Sequence, residues 1–167
     1  MKIAFACDQG GFEQKAELVS YLESLGQSVL DFGIKSKASA AYPGLAKTAA
    51  EDVANGTADI GILVCGTGIG MSLAANKVRG IRCANVTRPE FSELARQHND
   101  ANMLSLSGRF VSVEENKNSK HNIYCIDPMY NNSSSLLLDN GQAISDQSKQ
   151  KQNFISENSF MFISTDI

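Results

Sequence analysis

Six consecutive residues, Cys65-Gly66-Thr67-Gly68-Ile69-Gly70, hold the densest chemical signal in this sequence. Glycines at alternate positions let successive backbone N–H groups face one point, with a helix N-terminus expected behind them. Such a loop attracts an anion or an oxyanion. The competing reading is a tight strand-to-helix turn with no ligand, although three glycines exceed what a turn needs. Cys65 stands at the entrance to the loop, where a thiol should have its pKa lowered from about 8.5. It can then act as nucleophile or as general base. Nucleophilic hydrolases usually need an adjacent histidine and an orienting carboxylate. His98, in Gln97-His98-Asn99-Asp100, ends an expected helix that leads into a strand. That puts it at the amino edge of a parallel sheet, opposite Cys65, so the two should not meet within one chain. Taken alone, a histidine at a helix end reads as a cap interacting with the helix dipole.

Other chemistries fit less well. A dinucleotide fingerprint would need glycine where Met71 stands, and an acid where Thr87 follows the next strand. A Walker loop would need Gly-Lys-Ser/Thr, which is absent. Cys7, Cys65, Cys83 and Cys125 form no C-x-x-C pair, and the chain has two histidines, so no metal site is expected. Cys7, Cys83 and Cys125 read as small buried hydrophobes, and a disulfide framework is not expected. A net charge of −3 argues against nucleic-acid binding through neutralised phosphates. No apolar run approaches the roughly 18 residues of a membrane span. Met1 to Asp8 meets an acid too early for a secretory signal, so a cytoplasmic location is expected.

The elements that must position Cys65 follow from apolar patterning. Strands are expected at Lys2–Cys7, Ser28–Phe32, Ile60–Val64, Ile81–Val86 and Met103–Leu106. Helices are expected at Phe12–Leu25, with Phe12, Ala16, Val19 and Leu22 on its face, and after Pro43, with Leu45, Ala49 and Val53. Further helices are expected at Met71–Lys77, at Pro89–Gln97 capped by Thr87, and from Ser112. Strands apolar on both faces, alternating with helices, imply a parallel sheet covered on both sides. The expected fold is α/β: a three-layer α/β/α, doubly wound, Rossmann-like sandwich around five parallel strands. Ligands then bind beyond the carboxyl ends of the strands, where Asp8, Gln9 and the 65–70 loop collect.

Several segments together resemble one family. Lys2 to Asp8, Cys65 to Gly70, Ala74-Ala75-Asn76-Lys77, Gly80-Ile81-Arg82 and Arg96 to Asn102 look like type B ribose-5-phosphate isomerase, a family that includes galactose-6-phosphate isomerase subunits. Order and spacing match over about residues 1–116. The resemblance implies an aldose–ketose isomerase without metal or cofactor. The cysteine matching Cys65 would be the base moving a proton between C1 and C2. The backbone of Gly66, Gly68, Ile69 and Gly70 would stabilise an enediolate oxygen. The hydroxyl of Thr67 would shuttle a proton between oxygens, and His98 would assist ring opening. Asp8 would bind sugar hydroxyls with Asn99 beside it, and Gln9, Tyr42 and Arg109 would contact substrate. The family builds its site between two subunits of a homodimer, or of a tetramer, with the histidine arriving from the partner. That removes the geometric objection to His98.

Departures from the family pattern are also legible. Asp8-Gln9 stands where most members have Asp-His, and Ala41 stands where an acid usually precedes Tyr-Pro. Residues 1–116 form the expected isomerase domain. Residues 117–167 form an Asn/Ser-rich tail without arginine, although the family clamps its phosphate with C-terminal arginines. Lys149 and Lys151 are poor substitutes. The tail is read as weakly ordered, and a frameshift near codon 117 is one explanation of its composition. Three functional readings therefore stand: an active pentose-phosphate isomerase, an isomerase of a six-carbon sugar phosphate, and a weak or inactive member that binds sugar phosphate.

Overall fold

The computed structural model describes residues 1–37 and 40–118. Its elements are β1 (Lys2–Cys7), α1 (Phe12–Ser24), β2 (Ser28–Asp31), α2 (Tyr42–Ala54) and β3 (Ile60–Cys65). They continue with α3 (Ile69–Ala75), β4 (Cys83–Val86), α4 (Pro89–Asn99), β5 (Met103–Ser107) and α5 (Val113–Asn118). The strands form one parallel sheet in the order β2-β1-β3-β5-β4. From β1 the chain winds outward to β2, then returns to start β3 on the other side of β1. The winding direction reverses between β1 and β3, and in such sheets the ligand-binding position lies outside the carboxyl ends of the strands at that point.

The central strand explains the burial. Every residue of β3, Ile-Gly-Ile-Leu-Val-Cys, is buried, because helices cover both faces. Ile3, Phe5, Ile62, Val64, Leu104 and Leu106 pack with Leu18 and Leu22 of α1. On the opposite face Ala4, Ala6, Leu63, Cys65 and Met103 pack with α2 and α3. Small side chains at Ala46, Ala49 and Ala50 let α2 lie close over Ala4 and Ala6. A Cβ on Gly61 would stand 2.3 Å from Met103 Cε, so the methionine fills the space that glycine leaves.

Several local expectations need correction. Ala16 is exposed and Phe12 half-buried; the buried residues of α1 are Leu18 and Leu22. In α2, Leu45 and Val53 are half-buried, and the three alanines make the core contact. Helix α3 begins at Ile69, two residues before the expected Met71. Strand β4 omits Ile81 and Arg82, because the Arg82 N–H donates to Asn102 Oδ1 rather than to a strand. Thr87 is not the cap of α4: Arg88 occupies that position in extended conformation, with no side-chain cap.

Two polar arrangements fix the ends of the fold. Asp100, at φ +49°, ends α4 and pairs with Arg96 and, at 2.5 Å, with Arg82. Helix α5 opens on a reciprocal cap, in which the Glu115 N–H donates to Ser112 Oγ and Glu115 Oε2 accepts from the Ser112 N–H. Asn116 Nδ2 donates to Gln14 Oε1 at 2.8 Å and to the Ser107 carbonyl at 3.1 Å, joining α5 to α1 and β5. The expectations for the tail beyond Asn118, including Cys125, Leu136-Leu137-Leu138, and Phe154 to Ile163, lie outside the described residues. Among the described residues no helix is long and apolar enough to cross a membrane.

Candidate active site

Three loops converge at the carboxyl edge of β1, β3 and β5, and glycines let them touch. A Cβ on Gly10 would stand 2.3 Å from the Gly66 nitrogen, and one on Gly108 would stand 2.4 Å from the Gly10 carbonyl oxygen. Backbone thus packs directly on backbone where the sheet changes its winding direction.

Asp8 and Cys65 are close neighbours at this edge. Each follows a registered pair, Cys7 with Val64, on strands about 4.8 Å apart. The Asp8 N–H donates to the Val64 carbonyl. Asp8 is buried, and its Oδ1 accepts from the Gly10 N–H at 2.7 Å. Cys65 is also buried, and its Sγ accepts from the Gly68 N–H at 3.1 Å. Gly68 adopts φ +79°, which lets the chain turn its amide back onto the sulfur. Burial pushes the Cys7 thiol up to about 11 and the Cys83 thiol to about 12, so both stay protonated at neutral pH.

The remaining loop residues surround Cys65. Thr67 is exposed, and its Oγ1 accepts from the Ile69 N–H at 3.3 Å. Arg109 is exposed, with its guanidinium lying over Gly66: a Cβ there would meet Cδ, Nε and Cζ at 3.3–3.4 Å. The Tyr42 ring lies against Gly70 in the same way, at 3.1–3.2 Å. Gln9 Oε1 accepts from the Ala40 N–H at 3.3 Å, tying the β1 loop to the segment before α2. Ala41 is the N-cap of α2 and offers no side-chain acceptor.

His98 and Asn99 do not join this group. Both are exposed in the last turn of α4, which leads into the amino end of β5. Met103 pairs with Gly61 and Ser107 with Cys65, so the length of β5, about 13 Å, separates the two edges. Within one chain Asn99 is therefore not beside Asp8, because α4 ends at the opposite edge of the sheet.

Sequence reasoning missed the polar residues beneath the loops. Ser105 Oγ donates to the Gly68 carbonyl at 2.6 Å, and Ser107 Oγ donates to the Gly66 carbonyl at 2.9 Å. Gln14 Nε2 donates to the carbonyls of Gly108 and Val111, holding the loop that carries Arg109. The available signal was serine alternating with leucine in Leu104-Ser105-Leu106-Ser107. Asn76 and Asn102, which belong to the recognised motifs, clamp backbone, whereas Asp100 pairs with the Arg82 and Arg96 side chains. Asn76 bonds both backbone groups of Cys83, and Asn102 donates to the Gly80 carbonyl.

The family model described as Ribose/Galactose Isomerase matches residues 3–123. Ribose-5-phosphate isomerase B of Escherichia coli (strain K12) is 47% identical over 113 residues, covering 68% of this chain and 76% of that protein. The solved structure of Clostridium thermocellum ribose-5-phosphate isomerase B aligns with TM-score 0.76 at 33% identity, covering 94% of this chain and 96% of that one. Mycoplasma genitalium ribose-5-phosphate isomerase B, solved with bound ribulose-5-phosphate, also aligns with TM-score 0.76. Its identity is 30%, over 96% of this chain and 97% of that one.

Proposed function

The chain belongs to the ribose/galactose isomerase family, and from that premise we propose that it interconverts ribose 5-phosphate and ribulose 5-phosphate. The observation that carries this reading is Cys65 at the winding reversal, with the Gly68 N–H on its sulfur and the Arg109 guanidinium over the next residue. The bound ribulose-5-phosphate of the Mycoplasma genitalium relative supports the choice of a five-carbon substrate.

The reaction requires one proton to cross between two carbons. In the open-chain aldose the Cys65 thiolate takes the proton from C2. The electron pair of that bond forms the C1–C2 double bond, and the carbonyl pair moves onto O1. Backbone N–H groups of the 66–70 loop stabilise this enediolate. The Thr67 hydroxyl carries the O2 proton to O1, and the Cys65 thiol returns its proton to C1, leaving the ketone at C2. The N–H on Sγ suits this cycle, because an anionic acceptor takes a hydrogen bond more strongly than a neutral one. Asp8 holds sugar hydroxyls, and Arg109 supplies a cation for the phosphoryl group. Gln9 and Tyr42 line the same edge.

Ring opening uses His98, which a second copy of the chain must deliver. Phe91, Leu94 and His98 follow one another at three- and four-residue spacing along α4 and are exposed, which supports a face that meets a partner. Asn99 would arrive with it. The site is therefore proposed as one shared in a homodimer.

The test is conversion of ribose 5-phosphate by the full chain beside Cys65→Ala. Loss of a general base should lower turnover about 10²–10⁴-fold. Equal rates would remove Cys65 as the base. Binding of the sugar phosphate without turnover by the unmodified chain would favour a binding module.

A further inference from the structure

Two buried serines beneath the site hold carbonyls of the loop after Cys65. Ser105 and Ser107 lie two residues apart on β5 and therefore point to one face of the sheet, while Leu104 and Leu106 point to the other. Both serines are buried. Their hydroxyls cross to the loop after β3, where Ser105 Oγ donates to the Gly68 carbonyl and Ser107 Oγ to the Gly66 carbonyl. A trans peptide is planar, so pinning its carbonyl directs its N–H the opposite way. No peptide bond among the described residues is cis. Fixing the carbonyls of Gly66 and Gly68 toward β5 therefore turns the N–H groups of Thr67 and Ile69 away from β5.

We propose that Ser105 and Ser107 are positioning residues that set the amide orientation of the loop following Cys65; the inference rests on the isomerase reading above. The two serines have different second duties. The peptide that Ser105 pins together with the Ser72 N–H, which donates to the same carbonyl at 3.1 Å, begins at Gly68, whose own N–H sits on Cys65 Sγ. Ser107 Oγ also accepts from the Phe110 N–H at 3.1 Å, and the Arg109 N–H joins it on the Gly66 carbonyl at 3.2 Å. Ser107 thus couples the cysteine loop to the arginine loop.

The experiment is steady-state kinetics of ribose 5-phosphate isomerisation for the full chain, Ser105→Ala, Ser107→Ala and Leu104→Val, with thermal melts of each. Leu104 is buried on the opposite face of β5, so its variant loosens the same strand and leaves both hydroxyls in place. Removing an oxyanion donor outright costs about 10²–10³-fold, and misaiming one should cost on the order of tenfold in kcat. Ser105→Ala should lose that factor with KM within about twofold, the pattern of an interaction made in the transition state. Ser107→Ala should lose kcat and also raise KM through Arg109. Leu104→Val should keep kcat whatever its melting point. Serine variants with kcat within about twofold of the unmodified chain, or a Leu104→Val loss equal to theirs, would overturn the inference while leaving the isomerase reading intact. An unmodified chain without turnover would overturn the isomerase reading, and the inference with it.

Discussion

Gly10→Ala probes the convergence of loops that builds the site. Gly10 does not adopt a positive φ, so the backbone accepts alanine and the penalty comes from contact alone. The new Cβ would stand 2.3 Å from the Gly66 nitrogen and 2.7 Å from its Cα, where ordinary contact begins at 3.4 Å. Both obstructing atoms are backbone, so no side chain can swing aside. The loops after β1 and β3 must separate by about 1 Å, a displacement that can cost on the order of 10²-fold in rate at a positioned site. Overpacking should also remove about 1–3 kcal/mol of stability. Gly66 directly follows Cys65, so the proposed base moves with its loop. The assay is kcat for ribose 5-phosphate together with a urea denaturation curve. Wild-type kcat and an unchanged midpoint would refute the claim that direct backbone packing between these loops sets the position of Cys65.

Other expectations follow from the same contacts. Gly44 lies in α2 with nothing near its would-be Cβ, so Gly44→Ala should raise stability by about 0.4–1 kcal/mol, read as a later urea midpoint at unchanged kcat. Asn76→Ala removes side-chain bonds to the Ser72 carbonyl and to both backbone groups of Cys83; at about 0.5–1.5 kcal/mol each, denaturation should show a loss of roughly 1.5–4.5 kcal/mol. Burial raises Cys83 from 9.0 to about 12, so above pH 9 the unfolded thiol loses its proton before the folded one does. Stability from this group is complete below pH 9 and falls as pH climbs toward 12. Cys83→Ala should therefore flatten the alkaline decline seen in denaturation curves at pH 8 to 10.

Fold class was readable because the strands are unbroken apolar runs and the punctuation is strong. Gly26 and Gly56, at φ +76° and +78°, stand just past the ends of α1 and α2. Helix faces were read less well. Helical spacing selected Ala16, but close packing favours the larger Leu18, and α2 uses alanines because Ala4 and Ala6 leave little height above the sheet. Strand order was not legible, since nothing local says that β5 inserts between β3 and β4. Cys65 and its loop were legible because the chemistry is written in six adjacent residues. The serines beneath were not, because Ser105 reaches Gly68 across 37 positions and Ser107 reaches Gly66 across 41. The opposition of His98 to Cys65 was derivable from helix direction alone, and it is the feature that makes one chain insufficient for the proposed chemistry.

Subunit complementation tests that central claim most directly. Chains carrying Cys65→Ala and chains carrying His98→Ala are each expected to be inactive. After equal mixing and subunit exchange, half the dimers are mixed, and each mixed dimer holds one site with both groups, so about a quarter of wild-type turnover should return. Verified exchange with no recovered activity would contradict a site shared between copies.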